Sequence, residues 1–270
     1  MRIFLAALVL LQSTLQVAAH EYWIEPENFQ VESGAPLVAD LRNGQQFKGG
    51  TLAYFSKQTA RFELITRDGI TPVEGRMGDI PALHTAAPED GLLVILYETT
   101  ASTLKYTKWE TFADFTTHKA FPEAQQTHRQ RGLPESLFTE TYRRFAKALV
   151  GVGSAEGADA ETGMETEFVA LTNPYTEDLS NGMAVRLLYQ GQPRADAQVE
   201  VFDRAPDKTV TTSTLRTDAQ GEALVPVTPG HVYLLDGVVL RPMNEGADFA
   251  EDLPVWESLW AAMTFAVPTE

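Results

Sequence analysis

Among the residues of this chain, His20 offers the most distinctive chemistry, because the residues before it form a cleavage site. A charged start at Arg2 and an apolar run precede small residues at Val17 and Ala19, the minus-three and minus-one positions of a cut after Ala19. This pattern predicts a secretory signal peptide over residues 1–19, which is too short to span a membrane. Cleavage would make His20 the first residue of the mature chain.

An N-terminal histidine carries a free amine and an imidazole, and the two nitrogens can close a chelate ring on one metal ion. Their unperturbed pKa values are about 8 and about 6.5, so a metal displaces little more than one proton near neutral pH. Nickel, cobalt, copper and zinc all accept imidazole nitrogen. The alternative is an ordinary solvated terminus, since some residue must follow every cleavage site.

The other candidate ligands must be brought together by folding, because no two of the five histidines have the spacing of a helical zinc site. We expect strand-like residues around His84 to lie beside the strand that starts at His20. His118 follows Asp114 on a predicted helix, where the aspartate could orient the imidazole or simply form a surface pair. His128 lies among polar residues and is expected to be solvated. We therefore predict a metal site formed by His20, His84 and His118.

The overall composition narrows the class of partner and compartment. The chain has 37 acidic and 21 basic residues, a net charge of minus 16, which argues against a nucleic-acid partner. It has no cysteine, so neither disulfides nor a lipidated cysteine are available. No second apolar stretch is long enough to span a membrane. These features predict a periplasmic protein with no transmembrane segment in the mature chain.

Catalytic motifs are missing from the sequence. There is no nucleophilic cysteine, no Gly-x-Ser-x-Gly elbow and no glycine-rich phosphate loop. Carboxylates are abundant, but abundance does not identify an acid/base pair. We therefore predict no catalytic residues, no organic cofactor and no enzymatic activity.

The first part of the mature chain, residues 20–106, has a β pattern. Residues 61–64 alternate between polar and apolar, as a half-buried strand does, whereas residues 92–96 are continuously apolar. Turn dipeptides such as Asp68-Gly69 and Asp90-Gly91 separate these runs. The pattern predicts a β-sandwich.

A helical segment is predicted over residues 107–150. Thr107 and Glu110 have the spacing of a capping box, and Pro122 is expected to end the first helix and to open a short second one. A third helix is predicted from Pro134 to Val150. Two helices present an apolar face, formed by Trp109, Phe112 and Phe115 in the first and by Phe138, Tyr142, Phe145 and Leu149 in the third.

Residues 151–167 are rich in glycine, alanine and acid and have no apolar period, which predicts an acidic linker or exposed loop. A calcium site there lacks the spacing of an EF-hand.

From residue 168 to residue 270 the β pattern returns, with alternating apolar residues over 183–189. The residues from Gly191 to Val201, followed by the Thr217–Gly221 turn, resemble a carboxypeptidase-regulatory or transthyretin-like module, and so imply an immunoglobulin-like β-sandwich.

The predicted fold is therefore mainly β, with two immunoglobulin-like β-sandwich domains and a helical segment between them. Five segments, in order, resemble a family of exported bacterial proteins of unknown function that are often described as periplasmic components of cobalt or nickel transport systems. The segments are His20–Pro26, Arg42–Gln45, Arg144–Leu149, Leu171–Tyr175 and Trp256–Trp260. The resemblance implies an exported, two-sandwich protein that handles a metal.

We expect periplasmic binding of a divalent transition metal (nickel, cobalt or copper) through His20, in metal uptake or delivery, with a membrane metal transporter as partner. Nitrogen ligands bind copper most tightly, whereas the resemblance implies nickel or cobalt. One alternative is a metal-free interaction module for a membrane partner or a glycan. Another is a copper enzyme that uses an N-terminal histidine and a second histidine, as polysaccharide monooxygenases do.

Overall fold

The computed structural model describes residues 20–269, so the predicted signal peptide lies outside the described residues. The chain is mainly β, which confirms the predicted fold class. The first strands are β1 (Glu21–Pro26), β2 (Gln30–Val31), β3 (Pro36–Gln45), β4 (Lys48–Leu52), β5 (Thr59–Thr66), β6 (Gly69–Pro72), β7 (Leu83–Ala86), β8 (Gly91–Thr99) and β9 (Ser102–Tyr106). Two helices follow, α1 (Trp109–His118) and α2 (Ala124–Gln130). The remaining strands are β10 (Phe138–Val152), β11 (Thr166–Ala170), β12 (Met183–Tyr189), β13 (Gln192–Pro193), β14 (Gln198–Arg204), β15 (Val210–Arg216), β16 (Glu222–Val225), β17 (Val232–Pro242) and β18 (Pro254–Ala266).

The described strands form one sheet of ten strands and two sheets of four. The large sheet has the order β15-β14-β17-β18-β10-β8-β5-β6, with β2 and β9 also paired to β10. One small sheet contains β1, β3, β4 and β7, and the other contains β11, β12, β13 and β16. The large sheet therefore combines strands from both of the predicted sandwich domains.

Both faces of the large sheet are covered, because alternate residues of its strands belong to different cores. On β8, Leu93 and Ile95 pack in the core beneath the β1–β3 sheet, whereas Leu92 and Val94 pack in the core beneath the β11–β12 sheet. Successive side chains of a strand point to opposite faces. The two sandwiches thus share a middle layer.

The predicted third helix is wrong, because residues 138–152 form the long central strand β10. β10 pairs in parallel with β18 and antiparallel with β8 and β9. Apolar residues at helical spacing suggested one buried face, but the residues between them, such as Ala146 and Ala148, are buried as well. A strand with a sheet on each side buries both of its faces, and β-branched residues such as Val150 suit that environment.

The first two predicted helices are present, with shorter bounds. Phe112 and Phe115 of α1 are buried against the large sheet, in a core that also contains Trp256 and Trp260. The predicted capping box does not form, because Lys108 is the N-cap residue and no side chain caps the helix. The helices therefore cover one end of the large sheet.

The predicted acidic loop is not simply exposed. Residues 153–165 have no regular secondary structure, but the side chain of Asp159 is fully buried within this segment. Glu167 lies on β11 and is 2% exposed. Both carboxylates contact Lys147 of β10, so a buried ion pair holds this segment against the central strand.

The strand that follows His20 is fixed on several sides. β1 pairs antiparallel with β3 along its whole length, from Glu21 opposite Gly44 to Pro26 opposite Ala39. The Thr264 hydroxyl of β18 donates a hydrogen bond of 2.7 Å to the carbonyl oxygen of Ile24. β1 is therefore joined both to its own sheet and to the large sheet beneath it.

Candidate functional site

His20 lies at the rim of a cavity of about 150 Å³ between β1, α1 and the large sheet. It is exposed, and it directly precedes the first residue of β1. Buried polar groups lie deeper in this cavity, which we call the His20 cavity. Its other lining residues are Asn43, Leu104, Tyr106, Thr111, Phe115, Glu140, Tyr142, Arg144 and Trp260.

Glu140 is the acidic group of the cavity and is 2% exposed. Its Oε2 accepts a hydrogen bond of 2.9 Å from the Tyr106 hydroxyl, and its Oε1 accepts one from the Ser258 hydroxyl. Ser258 in turn accepts a hydrogen bond of 2.8 Å from the indole nitrogen of Trp260. Burial raises the pKa of Glu140 to about 7, although the two hydrogen bonds oppose this change.

Arg144 is the cationic group of the cavity and is 8% exposed. Its guanidinium stacks on Trp260, with 4.0 Å from Cζ to the ring centre, and also lies over Tyr142 at 5.2 Å. Among the described residues, its Nε and Nη1 atoms find no hydrogen-bond acceptor. Burial lowers the pKa of Arg144. The ring contacts are therefore the main direct support for this charge.

A second buried cation, Lys119, lies just beyond α1. Its Nζ forms ion pairs with Glu200 and, at 2.8 Å, with Asp236. The Nε2 atom of His118 lies 2.8 Å from the other carboxylate oxygen of Glu200. Burial, together with repulsion from Asp236 and Glu200, raises the pKa of Glu21 to about 7. Glu21 follows His20, so the N-terminal strand and His118 meet the same charge cluster.

Buried carboxyl groups outnumber cations around the start of β1. Four carboxyl groups, from Glu21, Glu140, Glu200 and Asp236, are each 4% exposed or less. Within residues 20–269, Lys119 and Arg144 are the buried cations beside them, and His118 adds a contact to Glu200. Because the pKa values of Glu21 and Glu140 are about 7, the charge of this region changes with pH near neutrality.

The structure does not bring His84 to His20. His84 lies opposite Val38 of β3, whereas Glu21 lies opposite Gly44, six residues further along the same strand. At about 3.4 Å per residue, this register separates the two positions by about 20 Å along β3. His84 instead lines a separate cavity of about 470 Å³.

The remaining predicted ligand, His118, is engaged with Glu200, a buried carboxyl group that also acts on the neighbour of His20, Glu21. Within residues 20–269 no three or more His, Asp or Glu side chains converge in a way that could hold a metal ion. A metal site at His20 would thus depend on the amine that cleavage creates.

Sequence reasoning missed Glu140, Arg144 and Lys119, and misread His128. His128 is fully buried, and its Nε2 lies 2.9 Å from the carbonyl oxygen of Pro134. Its Nδ1 accepts a hydrogen bond of 3.0 Å from the indole nitrogen of Trp256. The polar neighbours of His128 in sequence hid its burial, because they point away from the sheet on a short helix.

The chain belongs to the family defined by a domain of unknown function, DUF4198, which matches residues 17–239. A comparison with curated proteins found no matching sequence. Among solved structures, the chain is similar to the D0-D1 domain of intimin, with 12% identity, a TM-score of 0.21, and 90% of this chain and 97% of that chain covered.

Two further solved structures show a similar level of likeness. A tetra-tandem repeat in the extending region of a large adhesion protein has 10% identity and a TM-score of 0.22, with 93% of this chain and 50% of that chain covered. Salmonella alpha-2-macroglobulin has 9% identity and a TM-score of 0.23, with 90% and 14% covered. No helix within residues 20–269 has the length and apolar character needed to cross a membrane.

Proposed function

We propose that this protein is exported to the periplasm, is cut after Ala19, and carries a divalent transition metal ion at its new terminus. The amine and imidazole of His20 bind the ion, which is cargo for uptake or delivery through a membrane transporter. Nickel, cobalt and copper all suit two nitrogen ligands. In this role the protein binds and releases the ion and catalyses no reaction.

The main support for the proposal is the position of a buried carboxyl group beside His20. Glu140 lines the same cavity as His20, so a divalent ion held by His20 would lie near a group that can supply negative charge to it.

The rigidity of β1 provides a second line of support. A bidentate chelate loses affinity if its backbone must be ordered upon binding. Here the residue after His20 is already paired with Gly44, and Ile24 is bonded to the large sheet. Asn43 and Glu140 line the cavity beside His20 and offer oxygen atoms on that side. His118 belongs to the charge cluster that includes Glu21, and His84 takes no part.

The test is the metal content of the processed protein, measured by mass spectrometry after loading with nickel, cobalt or copper. We expect one ion per chain in the natural sequence and a sharp loss when one glycine is added ahead of His20. That insertion keeps the imidazole but moves the amine out of the chelate.

His84→Ala is the matched control, because it removes a histidine that lies about 20 Å away along β3. We expect it to keep the full metal content. Equal metal in the glycine-extended protein, or no metal in either protein, would contradict the proposal.

A second candidate function is a metal-free interaction module, and an exposed apolar surface favours it. Ile80 is 62% exposed and lines the cavity that contains His84, and Ile70 and Met77, in nearby segments of the chain, are 58% and 77% exposed. Exposed apolar groups of this kind are typical of contact sites. The two functions are separated by growth under metal limitation of a strain that lacks this protein and receives one variant at a time. If the protein is an interaction module, Met77→Ser should fail to restore growth and His20→Ala should restore it. If the protein delivers metal, His20→Ala should fail and Met77→Ser should restore growth.

A further inference from the structure

Lys147, Asp159 and Glu167 meet in the interior on the face of β10 opposite the His20 cavity. Their side chains are 0%, 0% and 2% exposed. The Nζ atom of Lys147 lies 3.3 Å and 3.5 Å from the two carboxylate oxygens of Asp159. The amine is thus almost equally far from the two oxygens, and the carboxyl carbon that joins them is its neighbour.

The amine contacts three groups. Nζ donates a hydrogen bond to the carbonyl oxygen of Ala160 at 3.0 Å and longer ones to both oxygens of Asp159, and it forms an ion pair with Glu167 Oε2 at 2.7 Å. An amine that has passed a proton to Glu167 can keep its bond to Ala160 and turn its lone pair towards Asp159. Glu167 is also the group that can take the proton released by the amine.

Backbone donors hold both oxygens of Asp159. Oδ1 accepts a hydrogen bond of 2.8 Å from the amide of Ala160, and Oδ2 accepts one of 2.8 Å from the amide of Ala170. Fixed backbone N–H groups of this kind stabilise the negative charge that develops on oxygen during attack at a carboxyl carbon. Burial also raises the pKa of Asp159 and so favours its protonated form.

We propose that Lys147 and Asp159 form an intramolecular isopeptide bond and that Glu167 is the catalytic residue for its formation. Glu167 removes a proton from the amine as Nζ attacks Cγ of the protonated Asp159 carboxyl group. The C–N bond forms, one C–O bond breaks, and Glu167 returns the proton to the departing oxygen. One amide and one water molecule result, and no oxidant, reductant or other reactant is required.

Lys119 provides an internal contrast, since it is also buried with two carboxylates. Its Nζ contacts a single oxygen of Asp236, at 2.8 Å. The other oxygen of Asp236 has no hydrogen-bond donor among the described residues. Lys119 therefore has the arrangement of an ion pair, without the donors that would stabilise attack on the carboxyl carbon.

The experiment is peptide mapping of the full exported chain after unfolding and digestion with trypsin. A free Lys147 allows cleavage before Ala148. The linked protein gives instead one peptide from Phe145 to Arg186, lighter than its sequence by one water and without backbone fragments between residues 147 and 159. Detection of the two separate, unmodified peptides in place of this one would overturn the proposal.

Variants assign the roles of the three residues. Glu167→Gln preserves the shape of the side chain and should abolish the link in a protein that remains folded by circular dichroism. Lys105→Met, which removes a lysine that is 37% exposed, is the control and should leave the link intact. A cyclic imide at Asp159 would also remove one water but would leave the bond after Lys147 open to trypsin, and that result would reject the isopeptide. A link that persists in Glu167→Gln would overturn the catalytic role of Glu167.

Discussion

Arg144 and Trp260 lie directly opposite each other on the parallel strands β10 and β18, and the guanidinium stacks 4.0 Å from the ring centre. This pair forms one wall of the cavity at whose rim His20 lies. The charge of Arg144 is therefore held close to the proposed ion without being neutralised by a hydrogen-bonded carboxylate.

Replacing Arg144 by methionine should tighten binding of the metal. Methionine can keep contact with Trp260, while the loss of one buried positive charge removes repulsion on the order of 1–2 kcal/mol, or roughly tenfold in affinity. Titration calorimetry with nickel would measure the change. Arg61→Met, on the distant strand β5, should leave the affinity unaltered, and weaker binding in Arg144→Met would contradict a cationic ligand.

Glu140→Gln should stabilise the protein at alkaline pH. The pKa of Glu140 is raised from 4.5 to about 7, so between these values the folded state binds more protons than the unfolded state. Its contribution to the free energy of unfolding is therefore lost as pH rises from 4.5 to 7, by up to about 3 kcal/mol. Urea unfolding at pH 5 and pH 8 would test this, with the exposed Glu89→Gln as control. The prediction would be disproved if the free energy of unfolding changed between pH 5 and pH 8 by the same amount in Glu140→Gln as in the natural protein.

Lys119→Met should be strongly destabilising. It leaves Glu200 and Asp236 buried without their shared cation, and breaking a buried pair in this way costs about 3–5 kcal/mol. The exposed ion pair between Lys105 and Glu251 offers a comparison, because Lys105→Met should change the urea midpoint little. If Lys119→Met and Lys105→Met had similar urea midpoints, the Lys119 cluster would be solvated.

His128 should remain neutral in mildly acidic solution. A carbonyl oxygen can only accept, so Nε2 must carry the proton donated to Pro134, and Nδ1 must be free to accept from Trp256. Burial lowers the pKa of His128. Since the unfolded state then binds more protons, this residue reduces stability as pH falls below about 6.5. Nitrogen NMR should show the Nε2–H tautomer at pH 6, and a protonated ring there would refute this assignment.

The mainly β fold was predictable because short alternating and apolar runs recur along most of the chain. The strand β10 was not, since Phe138, Tyr142, Phe145 and Leu149 have helical spacing. The intervening residues are buried because each face of β10 belongs to a different core, which only the folded structure shows. When both faces of a strand are buried, the alternation of apolar and polar residues that distinguishes a strand from a helix is lost.

The candidate site was predictable only in part, for a related reason. His20 can be identified because a cleavage pattern is local in sequence. The cluster of Glu140, Arg144 and Lys119 depends on contacts between residues more than 80 positions apart, such as Lys119 with Glu200, and on the sheet order that brings β10 beside β18. The distance between His84 and His20 likewise follows from the register of β3, which composition does not encode.

The hydrogen bond between Thr264 and Ile24 joins the first described strand to the last one. A chain that is exported from its N-terminus presents β1 long before β18 has been delivered, so the surface on which β1 packs does not yet exist. Such long-range pairing delays folding. For the export proposed above, the segment around His20 would therefore meet a processing peptidase before the large sheet is complete, and His20, which is exposed in the folded protein, would stay open to solvent afterwards.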